Sequence, residues 1–307
     1  MKENKEETRR EWTGRDAIRH LAGMYQQLYL RPGPEAAQEY SRILRYGEDA
    51  YVRDLSHFIC DGRDQLFTEE TPAGIVQILH LHNRQDFELF LQIIAHKCTP
   101  VKIPPTQGAS ILDGIINWSR IHRHREEFMA RELAAGNPSP DWSAEFRLFT
   151  ADKSNYKDVL IVLSDGPYSN IPAEKAGLSE AEWLERSYVI RKTHECAHFV
   201  CRRLFRDIID AVWDELVADA VGILAAFGRF DPQMEELFLG ITGSVYTGGR
   251  LENYCEGDQV KDLAAAVHET LLSFIPVFSA FPDTSPLELS VILEERKKEL
   301  WDRYFRE

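Results

Sequence analysis

The segment RSYVIRKTHECAHFVCRRLF, residues 186–205, constrains the fold more than any other part of the chain. Wound as a helix, it gathers Ile190, Thr193, His194, Ala197, His198, Cys201, Leu204 and Phe205 on one face, while Arg191, Lys192, Arg202 and Arg203 mostly point away. The apolar members of that face must be buried, and the two histidines go inside with them. Histidines at i and i+4 can converge on one cation, and Glu195, about 100° around the helix, can reach a water on it. Two buried imidazoles can also be plain core residues. What separates the two cases is whether the chain supplies a third ligand and leaves a fourth position open, as a catalytic zinc requires.

The third ligand is sought in DAVWDELVADAVG, residues 210–222. On a helix, Glu215 and Asp219 share a face with Ala211, Ala218 and Gly222, while Val212, Leu216, Ile223 and Leu224 occupy the other side. Small neighbours let two helices approach closely, which a carboxylate needs if it is to reach a metal held by the next helix. A buried carboxylate pair without a partner would cost several kcal/mol, so the pattern calls for a cation or a hydrogen-bond network. A second ligand set, His194, His198 and Cys201, has usable spacing, but three ligands from one helix rarely close a tetrahedron.

Around this pair of segments the text is mainly helical. Apolar periodicity predicts helices over 15–30, 35–59, 72–82, 85–97 and 108–135, broken by Pro- and Gly-rich runs at 31–35, 98–108 and 134–142. KDVLIVLSDG (157–166) reads as a strand, with EFRLFTA (145–151) as a pairing partner. Ser179 stands three residues before Glu182, a capping-box pattern. Helical text then runs to about 227 and resumes at 258–275 and 286–306 after GITGSVYTGG (240–249). The expected fold is α+β, predominantly helical, with a small sheet just upstream of HECAH. The expected division is 1–140, a helical N-terminal region, and 141–307, the metal-binding region. LHLHN (His80, His82) and IHRHRE (His122, His124) fall on predicted helices, where i and i+2 point about 200° apart and cannot chelate together.

The 307 residues carry a formal net charge of -14. An acidic balance argues against nucleic acid or an anionic membrane as partner. No apolar run approaches the roughly 18–20 residues that span a bilayer, and MKENKEETRREWTGRD is charged throughout, unlike a secretory signal. The five cysteines, Cys60, Cys98, Cys196, Cys201 and Cys255, are odd in number and lack a CxxC pair, so no disulfide framework is expected, and a cytoplasmic location is. GITGSVYTGG lacks the GxxxxGK[ST] of a phosphate loop.

HECAH followed by E-x-x-x-D resembles the gluzincin branch of the zincin metallopeptidases over roughly residues 188–222. The resemblance implies Zn2+ held by His194, His198 and Glu215, Glu195 as general base on the metal-bound water, and Asp219 behind one ligand histidine, His194 first. It also implies a peptide or protein substrate laid along an edge strand, for which 157–164 is the expected one. A group must stabilise the oxyanion; the candidates are Tyr246, placed first because glycines flank it, then Arg250, Tyr254 and His268. The other class of function is a non-catalytic zincin-like binding or regulatory protein, with the helical N-terminal region taking a protein partner. Glu195 favours the enzyme, since a structural site has no use for that acid.

Overall fold

The structure is a computed structural model and describes residues 11–205, 210–255, 257 and 259–302. It is α+β and predominantly helical, with a small mixed sheet, and it divides into two compact units.

The first unit takes the chain up to Thr68, Gln77–Ile103 and Ile111–Ser164. Its elements are β1 (Trp12–Thr13), α1 (Arg15–Met24), α2 (Ala36–Tyr46), β2 (Gln65–Thr71), β3 (Gly74–Leu81), α3 (Arg84–Ile94), β4 (Ala109–Ile116), α4 (Trp118–Ala134), α5 (Trp142–Ala151) and β5 (Lys157–Ser164). The sheet order is β1-β2-β3-β5-β4, with β3 and β5 parallel and Ile78 opposite Ile161. Leu79, Leu81, Leu160 and Val162 bury against Phe87, Phe90 and Leu91 of α3, whose first turn is capped by the Asn83 side chain.

Several expectations are corrected here. The helix expected over 15–30 ends at Met24, and that over 35–59 stops at Tyr46, where Gly47 takes a left-handed φ of 66°. Residues 74–81 form a strand, because GIVQILHL sets β-branched residues into a buried, sheet-paired run. Residues 109–116 are also a strand, and helix α4 begins only after the Asn117 cap. EFRLFTA is helical: Asp141 caps it by accepting the Ala144 N–H, so the cap decides the segment rather than its aromatic content. KDVLIVLS is a strand as expected, but it lies between β3 and β4 and is not an edge. His80 sits on β3, so His80 and His82 share a face, with ring centroids 4.1 Å apart, instead of diverging around a helix. His124, on α4 as expected, stacks on Phe149 and meets Glu145 at 2.8 Å. The boundary expected at 140/141 moves to Ser164, since α5 and β5 belong with the first unit.

The second unit comprises Glu69–Val76, Pro104–Ser110 and the chain from Asp165 onward. It contains α6 (Ala173–Ala176), α7 (Glu180–Leu204), α8 (Ala211–Phe227), α9 (Pro232–Leu239), the hairpin β6 (Ile241–Thr242) and β7 (Val245–Tyr246), α10 (Gln259–Ala280), α11 (Pro286–Glu295) and α12 (Lys297–Leu300). The helical text expected to run on to 227 is two helices, and residues 206–209 between them lie outside the described residues, as do 303–307 at the end of the expected 286–306 helix. The Ser179–Glu182 capping box is present and starts α7. Trp213, Leu216, Val217, Leu271, Phe274 and Trp301 form the main core, and Tyr168, Trp183, Ile190, Ile223 and Phe238 a second cluster beside it. α10 is long and apolar enough by composition to cross a membrane, against expectation, with half of that stretch buried in the unit. All five cysteines are free.

Candidate metal centre

Helices α7 and α8 pack closely because Gly222 has no side chain: a Cβ there would meet the Ile190 carbonyl oxygen at 3.0 Å and its Cγ2 at 3.1 Å. The small-residue face of α8 thus does what its pattern predicts, and it brings Glu215 and Asp219 against His194 and His198. His194 Nε2 lies 2.9 Å from His198 Nε2. The Glu215 carboxylate stands 3.7 Å from the first nitrogen and 3.5 Å from the second. Tetrahedral zinc with bonds of about 2.0–2.2 Å holds its ligand atoms about 3.3–3.5 Å apart. The three donors already stand close to that spacing.

The protonation pattern points the same way. His194 Nδ1 is 2.8 Å from Asp219 Oδ1, and His198 Nδ1 is 2.9 Å from Asp214 Oδ2. A carboxylate only accepts, so a hydrogen belongs on the Nδ1 that faces it, and each ring turns its Nε2 toward the other and toward Glu215. Two lone pairs and a carboxylate aimed at one point repel unless a cation sits there. In the metal-free chain a proton serves: burial lowers the His198 pKa, but hydrogen bonds and charge from Asp214 and Glu215 outweigh it and push it up to about 10. Glu215 is held below the usual carboxylate range by His198, His194 and Arg250, against a burial effect that raises it. The donor set, two imidazoles and one carboxylate, fits zinc.

Asp219 stands where it was expected, behind His194, and is fully buried. Its partners were not all foreseen. The Tyr168 hydroxyl donates to Asp219 Oδ1 at 2.5 Å and lies 2.9 Å from His194 Nδ1. Arg250 ion-pairs with Asp219 through Nη2, which also lies 3.7 Å from Glu215. Sequence reading missed Tyr168, which lies in a loop with no motif, and Asp214. For Asp214 a signal existed, an acid adjacent to Glu215, but Asp214 lies off the face that Glu215 and Asp219 share. Glu235, also missed, is fully buried, and its carboxylate oxygens have no hydrogen-bond partner among the described residues. Burial, then the Asp219 charge, push its carboxyl far up.

A cavity of about 780 Å³ opens over the centre and lies within the second unit. His194, Glu195, Glu215, Arg250 and Tyr254 line it. Tyr246 and His268 are not among its lining residues. The Tyr246 hydroxyl donates to Glu252 at 2.7 Å and accepts the Gly249 N–H at 2.9 Å, while His268 pairs with Glu236 at 2.6 Å. Two of the glycines around Tyr246, Gly240 and Gly249, are spent on close packing: a Cβ on Gly240 would meet the Gly248 carbonyl oxygen at 2.3 Å. They lock the hairpin instead of freeing the tyrosine to close. Cys201 groups with Asp214 and Glu294 and is not in the ligand set with His194 and His198.

A family model described as a family of unknown function, DUF7005, matches residues 11–276. The chain belongs to that family. No curated protein and no solved structure matches it. The match spans α7, α8 and every residue assigned above to the centre.

Proposed function

We propose that the chain is a zinc-dependent hydrolase that cleaves a peptide or related amide bond, with Glu195 as general base. The observation that carries this reading is the convergence of His194, His198 and Glu215, at 2.9, 3.5 and 3.7 Å from one another, on a cavity that Glu195 also lines. Zinc, when bound, would supply Lewis acidity and make water a nucleophile near neutral pH. Glu195 takes the proton of the attacking water as its oxygen bonds to the carbonyl carbon, then delivers that proton to the amine nitrogen as the C–N bond breaks. Asp219 and Asp214 each hold one histidine with its Nε2 turned inward, and Tyr168 steadies the first of them.

Of the four groups considered for the oxyanion, Tyr254 is the best placed: it lines the cavity beside Glu215 and Arg250, and burial raises the pKa of its hydroxyl. Arg250 also lines the cavity, but its charge is engaged by Asp219. The sheet-edge support for an extended peptide is withdrawn, because β5 is interior. What remains favours a compact substrate. The test is Glu195→Gln, nearly isosteric but unable to take the proton. It should retain zinc and melting temperature while cleavage of a short-peptide library falls by about 10²–10⁴-fold. Stoichiometric zinc with no cleavage by the wild type would turn the reading to a metal-holding binding protein.

A further inference from the structure

The turn that carries Tyr168 adopts a backbone that its sequence disfavours. Ser169 and Asn170 both take left-handed φ, 50° and 57°. Asparagine visits that region, but a serine there sets its Cβ against the following carbonyl oxygen. Two such residues in a row persist only where the surroundings hold them. Here each residue from Gly166 to Ile171 is held. Arg191 Nη2 donates to the carbonyl oxygens of Gly166 at 3.1 Å and Pro167 at 3.4 Å. The Ser187 hydroxyl oxygen accepts the Tyr168 N–H at 2.9 Å, and Trp183 Nε1 donates to the Ile171 carbonyl at 2.7 Å. Arg250 Nη1 donates to Ser169 Oγ at 3.3 Å, and the Asn170 N–H closes the turn on the Pro167 carbonyl at 3.3 Å. Trp183, Ser187 and Arg191 stand four residues apart along α7 and are all buried, so one stripe of the helix grips the turn. The same stripe continues into His194 and His198.

The grip ends on the metal centre. Arg191 Cζ and Arg250 Cζ stand 6.0 and 5.9 Å from the Tyr168 ring centroid, and the Phe238 ring meets that ring edge-on at 4.9 Å. The hydroxyl so placed lies 2.5 Å from Asp219 Oδ1 and 2.9 Å from His194 Nδ1. We infer that Arg191 and Ser187 are positioning residues for the metal centre, gripping the turn so that Tyr168 already stands on Asp219 and His194 before a metal arrives. The inference rests on the zinc assignment of the centre and not on the hydrolysis. A ligand histidine fixed in advance leaves its ordering cost to folding, and the metal's affinity gains by that amount. Arginine suits the task, since its planar fork loses less freedom per hydrogen bond than a lysine ammonium. Gly108 belongs to the grip: a Cβ there would fall 2.6 Å from Arg191 Nε, so a side chain would move the guanidinium.

The experiment uses the full-length chain, with zinc Kd read by competition with a chelator and Co2+ as a spectroscopic stand-in for zinc. The variants are Arg191→Met, Ser187→Ala, Tyr168→Phe and the two doubles that add Tyr168→Phe. Groups directly behind a ligand are worth about 10–100-fold in affinity, so Tyr168→Phe should raise the zinc Kd at least about tenfold. Arg191→Met and Ser187→Ala, one step further back, should each raise it about 5–10-fold. Arg191→Met should also broaden the visible Co2+ bands, which report the ligand geometry. In the Tyr168→Phe background either second substitution should change Kd less than twofold, because both act through that hydroxyl. Should Arg191→Met fail to fold, Ser187→Ala and Gly108→Ala carry the test, the latter raising Kd at least about threefold by displacing the guanidinium. Wild-type zinc affinity in the folded variants overturns the inference and leaves the zinc assignment standing. Losses in the doubles of twofold or more beyond Tyr168→Phe alone overturn it equally, because the effect then bypasses Tyr168. A wild type that takes no zinc removes the metal assignment and this inference together.

Discussion

Asp219→Ala is the perturbation that tests most of the site at once. The carboxylate has no solvent exposure and accepts from Tyr168 at 2.5 Å, from His194 Nδ1 at 2.8 Å, and from Arg250. Removing it leaves the Arg250 charge in a mostly buried position with Glu215, 3.7 Å away, as its one remaining ion-pair partner among the described residues. Breaking a buried ion pair from one side costs about 3–5 kcal/mol. Because Glu215 remains, the lower end, about 3 kcal/mol, is expected for the metal-free chain. That is a large fraction of the roughly 5–15 kcal/mol that holds a typical domain together, but the fold should survive. Zinc affinity should fall about 10–100-fold as His194 loses its orientation, which is about 1.4–2.8 kcal/mol. Since bound metal stabilises in proportion to RT ln(1 + [Zn]/Kd), the gap to wild type should widen by that amount when zinc is in excess. The assay is denaturant unfolding with chelator and with zinc, plus competition measurement of zinc Kd. Arg250→Met in the Asp219→Ala background should recover at least about 1 kcal/mol of the metal-free loss. A metal-free loss below about 1 kcal/mol with unchanged zinc Kd, or no recovery in the double variant, would refute the reasoning.

Other outcomes follow from the same geometry. In the metal-free chain the His198 pKa is pushed up to about 10, so its contribution to folding is full below the unfolded value near 6.5 and is lost as pH rises through about 10. Unfolding free energy measured with chelator should therefore decline between those pH values, and Asp214→Asn should flatten the decline. Zinc must displace that proton, so its affinity should weaken about tenfold per unit as pH falls from 9 to 7, read by competition with a chelator of known pH dependence. Gly222→Val should lose zinc before it loses helicity, because a side chain at the Ile190 carbonyl pushes α7 and α8 apart; full zinc occupancy in that variant would refute the close-approach account. Tyr254→Phe should retain zinc and lower kcat about 10–100-fold, whereas Tyr246→Phe should leave kcat within twofold.

The convergence of His194, His198, Glu215 and Asp219 was legible because it is written in periodicity. HECAH and the Glu215/Asp219 face each satisfy a helical spacing that can be checked without coordinates, and Gly222 and Ala218 announce a close helix crossing before any distance is known. The parts that escaped are those supplied by segments with no period. Tyr168 enters from a loop between β5 and α6, 26 residues from the histidine it contacts. The same rule explains the misread strands. β3 and β4 are short apolar runs whose helical and sheet readings differ little in pattern, and pairing with sheet neighbours decides them. Tyr246 was chosen because glycine is conformationally free, but in this hairpin glycine serves the opposite purpose: Gly240 and Gly249 approach to a distance no side chain tolerates and fix the loop. An allowance for motion read from composition is therefore weaker than a spacing read from periodicity. Glycine says only that a side chain is absent, and whether the space is used for movement or for contact depends on what lies opposite. For the oxyanion group the proposal falls on Tyr254, which lines the cavity from the short turn Arg250–Tyr254. The hairpin glycines are then judged by stability alone: Gly240→Ala should cost several kcal/mol by driving apart two backbones, and the fraction that remains folded should cleave at the wild-type kcat.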